Sequence, residues 1–199
     1  MHGQQRIHRS MNAYDLPTSA RIGGREYKIR YQWRAILDIL AAQNDPDLDK
    51  RWKAVVLLQI FYPDLQDIPP EHIEEAYQFA CDFIDCGQKD DGKPHPKLID
   101  WEQDAGIIIP AVNKTAGMEM RATPDIHWWT FWGFFMEIGE SVLSSVVSIR
   151  AKREKGKRLD KTEREYYREN KQLIDFTVQK RSEEETAALR ELFGLPERR

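Results

Sequence analysis

The run His127-Trp128-Trp129-Thr130-Phe131-Trp132-Gly133-Phe134-Phe135 limits the folds open to this chain more than any other segment. Six of its nine residues are Trp or Phe. Pro124-Asp125 precedes it and suits a first helical turn, where proline's missing N–H costs nothing. On a helix Trp128, Phe131, Trp132 and Phe135 recur at spacings of three and four and form one apolar face, the expected core stripe. Trp129 and Phe134 project off that stripe, which makes them the candidates for an exposed interface. His127, at the helix edge, reads as a hydrogen-bonded histidine rather than a catalytic one. The segment is much shorter than the roughly 20 apolar residues a membrane span needs.

The surrounding chain can supply a core for such a helix. Its 199 residues suit one domain, or one domain with an appendage. A net charge of −3 gives no general attraction to nucleic acid or an anionic membrane. The first ten residues are polar and patternless, with no apolar signal core, so a disordered tail over 1–10 and a cytoplasmic protein are expected. Cys81 and Cys86 lie five apart, about 140° around a helix. That spacing suits two reduced thiols rather than a bridge.

Periodicity divides the rest. Arg21 to Ile29 reads as a hairpin turning at Gly23-Gly24, after an extended Leu16-Pro17. A helix from about Tyr31 to Ala42 carries Trp33, Ile36, Leu37 and Leu40. A second carries Trp52, Val55, Val56, Gln59 and Ile60 on one side and stops at Tyr62, before Pro63. A third starts at Pro69-Pro70, is lined by Ile73, Tyr77, Ala80 and Ile84, and ends near Cys86-Gly87. Gln88 to Pro96 is a polar loop. A fourth helix spans about Ile99 to Ala116, with Pro110 kinking or splitting it. The aromatic helix is fifth, and a small-residue helix from Ser141 to Ile149 follows. Asp160 to Glu163 starts another, and Ser182 with three acids starts a last one whose anchors are Leu189, Leu192, Phe193 and Leu195. The expected fold is mainly α: a bundle of about six to eight helices with a small N-terminal β-hairpin. Residues 11–149 form its core domain and 150–199 a charged helical C-terminal segment.

Chemistry is sparse in this pattern. There is no phosphate-binding loop, no Gly-x-Ser-x-Gly elbow and no zinc spacing among Cys81, Cys86, His72 and His95. No catalytic, cofactor-binding or metal residues are assigned, and the acid pairs Glu74-Glu75 and Asp90-Asp91 read as solvated. The basic run offers Arg150, Lys152, Arg153, Lys155, Lys157 and Arg158 as phosphate contacts. Acids follow it at once and no aromatic rings interleave, so a solvated junction between helices is the favoured reading.

The order of these landmarks carries a resemblance. Gly24-Arg25-Glu26-Tyr27-Lys28-Ile29, Phe61-Tyr62-Pro63-Asp64, the Cys86-Gly87 helix end, Asp100-Trp101-Glu102-Gln103-Asp104, His127-Trp128-Trp129-x-Phe131 and Tyr166-Tyr167-Arg168 follow one another over about residues 12–176. The chain resembles the phage "Gp15" family, tail proteins of long-tailed phages and prophages of Gram-positive bacteria. The Phe-Tyr-Pro and His-Trp-Trp-x-Phe elements are its specific parts. The resemblance implies a non-enzymatic tail assembly chaperone, which coats the tape-measure protein, recruits tail tube subunits, self-associates and is left out of the virion. Such a factor acts in the cytoplasm of the bacterial host. An apolar groove between helices would take the apolar face of a tape-measure helix. Trp129 and Phe134, with Trp52 and Phe61 of the second helix, are the expected partner-binding residues. The alternatives are a structural tail component retained in the virion, or a nucleic-acid-binding phage protein using the 150–158 basic run.

Overall fold

The computed structural model describes residues 14–88, 92, 95–177 and 188. Strands β1 (Ser19–Ile22) and β2 (Arg25–Lys28) pair antiparallel, with Ala20 opposite Tyr27 and Ile22 opposite Arg25. Gly23 and Gly24 sit at φ +54° and +83°. Two consecutive positive values define the tight turn whose twist matches a hairpin. Ala20, Ile22 and Tyr27 point inward. The turn rests on the start of the third helix: the Gly23 N–H donates to Glu75 Oε2 at 3.0 Å. A Cβ at Gly23 would meet the His72 ring at 2.5 Å.

Eight α-helices follow among the described residues: α1 (Trp33–Asn44), α2 (Lys50–Phe61), α3 (Ile73–Ile84), α4 (Ala105–Ala116), α5 (Trp128–Met136), α6 (Val142–Glu154), α7 (Lys161–Glu169) and α8 (Lys171–Ile174). The fold is the mainly α bundle with a small N-terminal hairpin that the sequence predicts. Helices α1, α2 and α3 pack in chain order, α5 lies against α1 and α4, and α6 against α4 and α8. The main core runs from Ala20 to Leu143, and a smaller one joins Val146, Ile149 and Ile174. No helix among the described residues is long and apolar enough to cross a membrane.

Local chemistry explains the boundaries. Helix α1 begins at Trp33, two residues later than its periodicity suggests. Gln32 bridges His127, with the Trp33 N–H donating to Ile126 O and the Trp128 N–H to Tyr31 O. Helices α1 and α5 thus start side by side. Tyr62 stops α2 as expected, and Arg30 covers that end by donating to the carbonyls of Gln59 and Ile60. Helix α2 turns a different face inward from the one its spacing suggests. Val56, Leu57, Leu58 and Phe61 are buried and Gln59 is exposed, because Ala54 to Leu58 is apolar without a gap and offers no unique stripe. Helix α3 follows a 3-10 turn over Pro70–His72 and buries Ala76, Ala80 and Phe83.

Helix α4 starts at Ala105 rather than near Ile99, because the Asp100 carboxylate receives the N–H groups of Glu102 and Gln103 and holds a turn there. Pro110 does not split it. The proline lies inside the shortened helix on its exposed side, and Gly106, whose carbonyl loses its i+4 donor, is exposed too. Pro124-Asp125 forms a turn before α5 rather than its first turn, and His127 is the N-cap. Helix α6 extends to Glu154, well past Ile149, so the expected division at 149/150 falls inside a helix. Asp160 caps α7 in a reciprocal capping box with Glu163. The expected helix from Ser182, and the tail over residues 1–10, lie outside the described residues, as does most of the 88–96 loop.

Candidate functional site

The most distinctive motif of the chain holds the bundle together. His127 Nδ1 accepts the Trp129 N–H at 3.0 Å and caps α5, while Nε2 lies 2.9 Å from the Pro17 carbonyl. A carbonyl only accepts, so the proton sits on Nε2 and the ring is neutral. Tyr31 stacks on this ring at 5.4 Å, and Phe83 lies at 5.3 Å. Burial lowers the His127 pKa, and the Pro17 hydrogen bond opposes part of that shift. Trp128 donates its indole N–H to Ile84 O and Trp129 donates to Phe83 O, both at 2.8 Å. Both are carbonyls of the last turn of α3, and Phe83 O also receives the Cys86 N–H. Phe131 stacks on Trp33 at 5.0 Å, nearly parallel.

This geometry places the expected interface residues differently. Trp129 is half-buried because α3 takes its indole N–H, and Phe134 is half-buried against the main core. Neither is exposed. Trp52 is half-buried in the first turn of α2. Phe61 is fully buried, with its ring against Tyr62 and Phe83, and presents nothing to a partner. Within the predicted core stripe, Trp128 and Phe131 are buried but Trp132 and Phe135 are only half-buried.

An open cleft of about 380 Å³ lies where the end of α3 meets α5. Trp128 and Trp132 of α5, Trp101 of the preceding turn, and Leu40 of α1 give it aromatic and aliphatic walls. Ile84, Asp85 and Gln88 at the end of α3 complete it. Trp101 lies 6.5 Å from Trp132 and 5.1 Å from Phe135. The Trp132 Nε1 is the one buried side-chain nitrogen or oxygen among the described residues without a hydrogen-bond partner. The indole N–H groups of Trp33, Trp128 and Trp129 each reach a carbonyl, that of Trp33 on Thr123, and the buried Trp132 N–H does not. Sequence reasoning missed this cleft. Its one local signal was Trp101, a large ring inside the polar turn Asp100–Asp104.

The next residue, Gly133, is exposed, with nothing within 4 Å of the position a Cβ would occupy. Mid-helix glycine costs roughly 0.5–1 kcal/mol relative to alanine, and no neighbour among the described residues requires it here. Met136, one turn on, is 60% exposed.

Half of the basic run is engaged within the molecule. Arg150 is buried, and all five of its N–H groups are used. Two go to the Asp104 carboxylate at 2.6 and 2.9 Å, and the others to the carbonyls of Leu98, Leu173 and Ile174. Phe176 lies 4.1 Å from its guanidinium carbon. Arg150 is therefore a structural clamp and not a phosphate contact. Lys152 pairs with Glu163 and Arg153 with Asp175. Lys155, Lys157 and Arg158 are exposed.

Both cysteines are free. Burial pushes the Cys86 thiol up to about 12, which keeps it protonated and unreactive. Cys86 is the left-handed residue that ends α3, at φ +54°, with its N–H on Phe83 O and the Gly87 N–H on Asp82 O. No group of three or more His, Cys, Asp or Glu among the described residues is arranged to hold a metal ion.

The comparisons agree with the order of these landmarks. Neither the curated proteins nor the solved structures yield a match. A family model described as "Bacteriophage Gp15 protein" matches residues 13–176, which takes in the hairpin, all eight helices and the cleft. On that match, the chain belongs to the bacteriophage Gp15 protein family.

Proposed function

We propose that this protein is a non-enzymatic tail assembly chaperone, which binds the tape-measure protein of its phage and helps recruit tail tube subunits. The observation that carries the reading is the open aromatic cleft beside α5, in a chain of a bacteriophage family. An aromatic-lined cleft at the junction of two helices suits the apolar face of an amphipathic helix. Trp129 and Phe134 do not line it, and Trp132 and Trp101 replace them as the contact surface. The protein acts in the host cytoplasm and is absent from the finished particle. The nucleic-acid alternative keeps Lys155, Lys157 and Arg158 as exposed cations of its run, with a fourth, Arg153, exposed but paired with Asp175.

Co-expression with the tape-measure protein of the same phage tests the proposal. The expected result is a soluble complex with many copies per tape-measure chain, where the tape-measure protein alone precipitates. Mass spectrometry of purified particles separates the chaperone from a retained tail component: the chaperone is missing and the component is present. Failure to form a complex would remove the reading.

A further inference from the structure

We propose that the chain's own C-terminal segment occupies the cleft between Trp101 and Trp132, with Leu189, Leu192 and Phe193 as the side chains that fill it. The place where the continuous described chain ends carries the inference. Thr177 is held at the Asp100–Asp104 turn. Its N–H and its hydroxyl both donate to Gln103 Oε1, at 2.9 and 3.0 Å, and the Gln103 amide donates to Asp175 O at 2.9 Å. Asp175 also pairs with Arg153, and Arg150 holds the carbonyls of Leu173 and Ile174. The exit of the chain at residue 177 is therefore fixed. It is fixed beside the cleft, because Trp101, one of the cleft walls, stands two positions from Gln103. Two residues span at most roughly 7 Å.

Residues 178–199 leave from that point. Between Val178 and Leu189 they are polar apart from Ala187 and Ala188. Leu189, Leu192 and Phe193 then stand at i, i+3 and i+4, one turn of a helix face, and Gly194 and Pro196 close it. A cleft of about 380 Å³ is the size of a small-ligand pocket. It takes the side chains of one turn rather than the length of a helix, and the segment offers one such turn. Its reach suffices: residues 178–182 extend roughly 17 Å, and each helical residue beyond them adds about 1.5 Å. A short tether also holds its occupant at an effective concentration on the order of millimolar, so a contact too weak to join separate molecules stays closed within one. The family match stops at Phe176, which puts the cleft inside the shared part of the chain and its occupant outside. A partner helix must then displace the segment to enter. That displacement rests on the chaperone reading, and the occupancy does not.

Photo-cross-linking in the full chain tests the occupancy. Benzoylphenylalanine in place of Phe193 should join to Leu40, Trp101 or Trp132, all walls of the cleft. In a mixture of light- and heavy-nitrogen chains, every cross-link should lie within a chain of one label. Cross-links confined to other surfaces, or none at all, would overturn the proposal. So would cross-links between the two labels, since a second copy would then supply the segment. Leu192→Asp with Phe193→Asp gives an independent readout. Tryptophan emission should move to the red and acrylamide should quench more of it, while urea unfolding of the variant stays cooperative. Unchanged quenching would also overturn the proposal. The same variant should hold the tape-measure protein about tenfold more tightly than the parent chain. Retained cross-links with equal tape-measure binding would overturn the displacement and leave the chaperone reading standing. Retained cross-links with no tape-measure complex from either chain would remove the chaperone reading and leave the occupancy standing.

Discussion

His127 makes two hydrogen bonds that require one proton on the ring and no more. Its Nδ1 accepts from the Trp129 backbone, and its Nε2–H reaches Pro17. Protonating Nδ1 would remove the cap of α5 and place a charge between Tyr31 and Phe83. The ring's pKa is lowered below 6.5 in the folded chain, chiefly by burial. As pH falls below that value, the unfolded chain takes up a proton that the folded chain resists, so stability drops. The slope is at most about 1.4 kcal/mol per pH unit, and the contribution is flat above neutrality. Urea unfolding between neutral and mildly acidic pH should show this component in the parent chain and not in His127→Asn, which keeps a capping oxygen. Identical slopes in the two proteins would refute the assignment. Trp129→Phe keeps most of the packing but leaves one α3 carbonyl without its indole donor. A loss of about 1–2 kcal/mol in urea unfolding is expected.

At the scale of elements, one side chain of α6, Arg150, ties it to Asp104 and to the end of α8. Arg150→Met would leave the Asp104 carboxylate buried with no cation, at a cost of about 3–5 kcal/mol. Adding Asp104→Leu should recover much of that loss, because the uncompensated charge leaves with it. Helix α5 offers the opposite case: Gly133→Ala fills open space in a helix and should raise stability by about 0.5–1 kcal/mol, read as a higher Tm. These two residues also mark what the sequence could and could not show. The hairpin was legible because glycines and alternation are local signals, and the Asp160 box was legible for the same reason. Arg150 was misread as a surface charge because its partner is 46 positions away. The exposure of α5 depends on where α3 ends, and no periodicity within 128–136 contains that. The cleft draws on α1, α3, the 101 turn and α5 together, so it exists only in the packed molecule.

At the scale of the molecule, the two cores differ greatly in size. The main core joins the hairpin to α1 through α5 and Leu143, whereas Val146, Ile149 and Ile174 form a small one beneath α7 and α8. Native-state hydrogen exchange should show weaker protection in α7 and α8 than in α1 and α5. Arg150→Met should lower α8 protection further and leave α1 little changed. Uniform protection across both parts would mean that they unfold as one unit. The bridge between Gln32 and His127 has a consequence in time. Pro17 waits for a ring 110 residues downstream. Trp33 likewise waits for Ile126 and for the face of Phe131. A ribosome adding roughly 5–20 residues per second needs roughly 6–22 s to cross that interval. For those seconds the entry to α1 has neither its backbone partner nor its stacking ring, so a stalled nascent chain shorter than the aromatic run should be the most easily cleaved form of the protein.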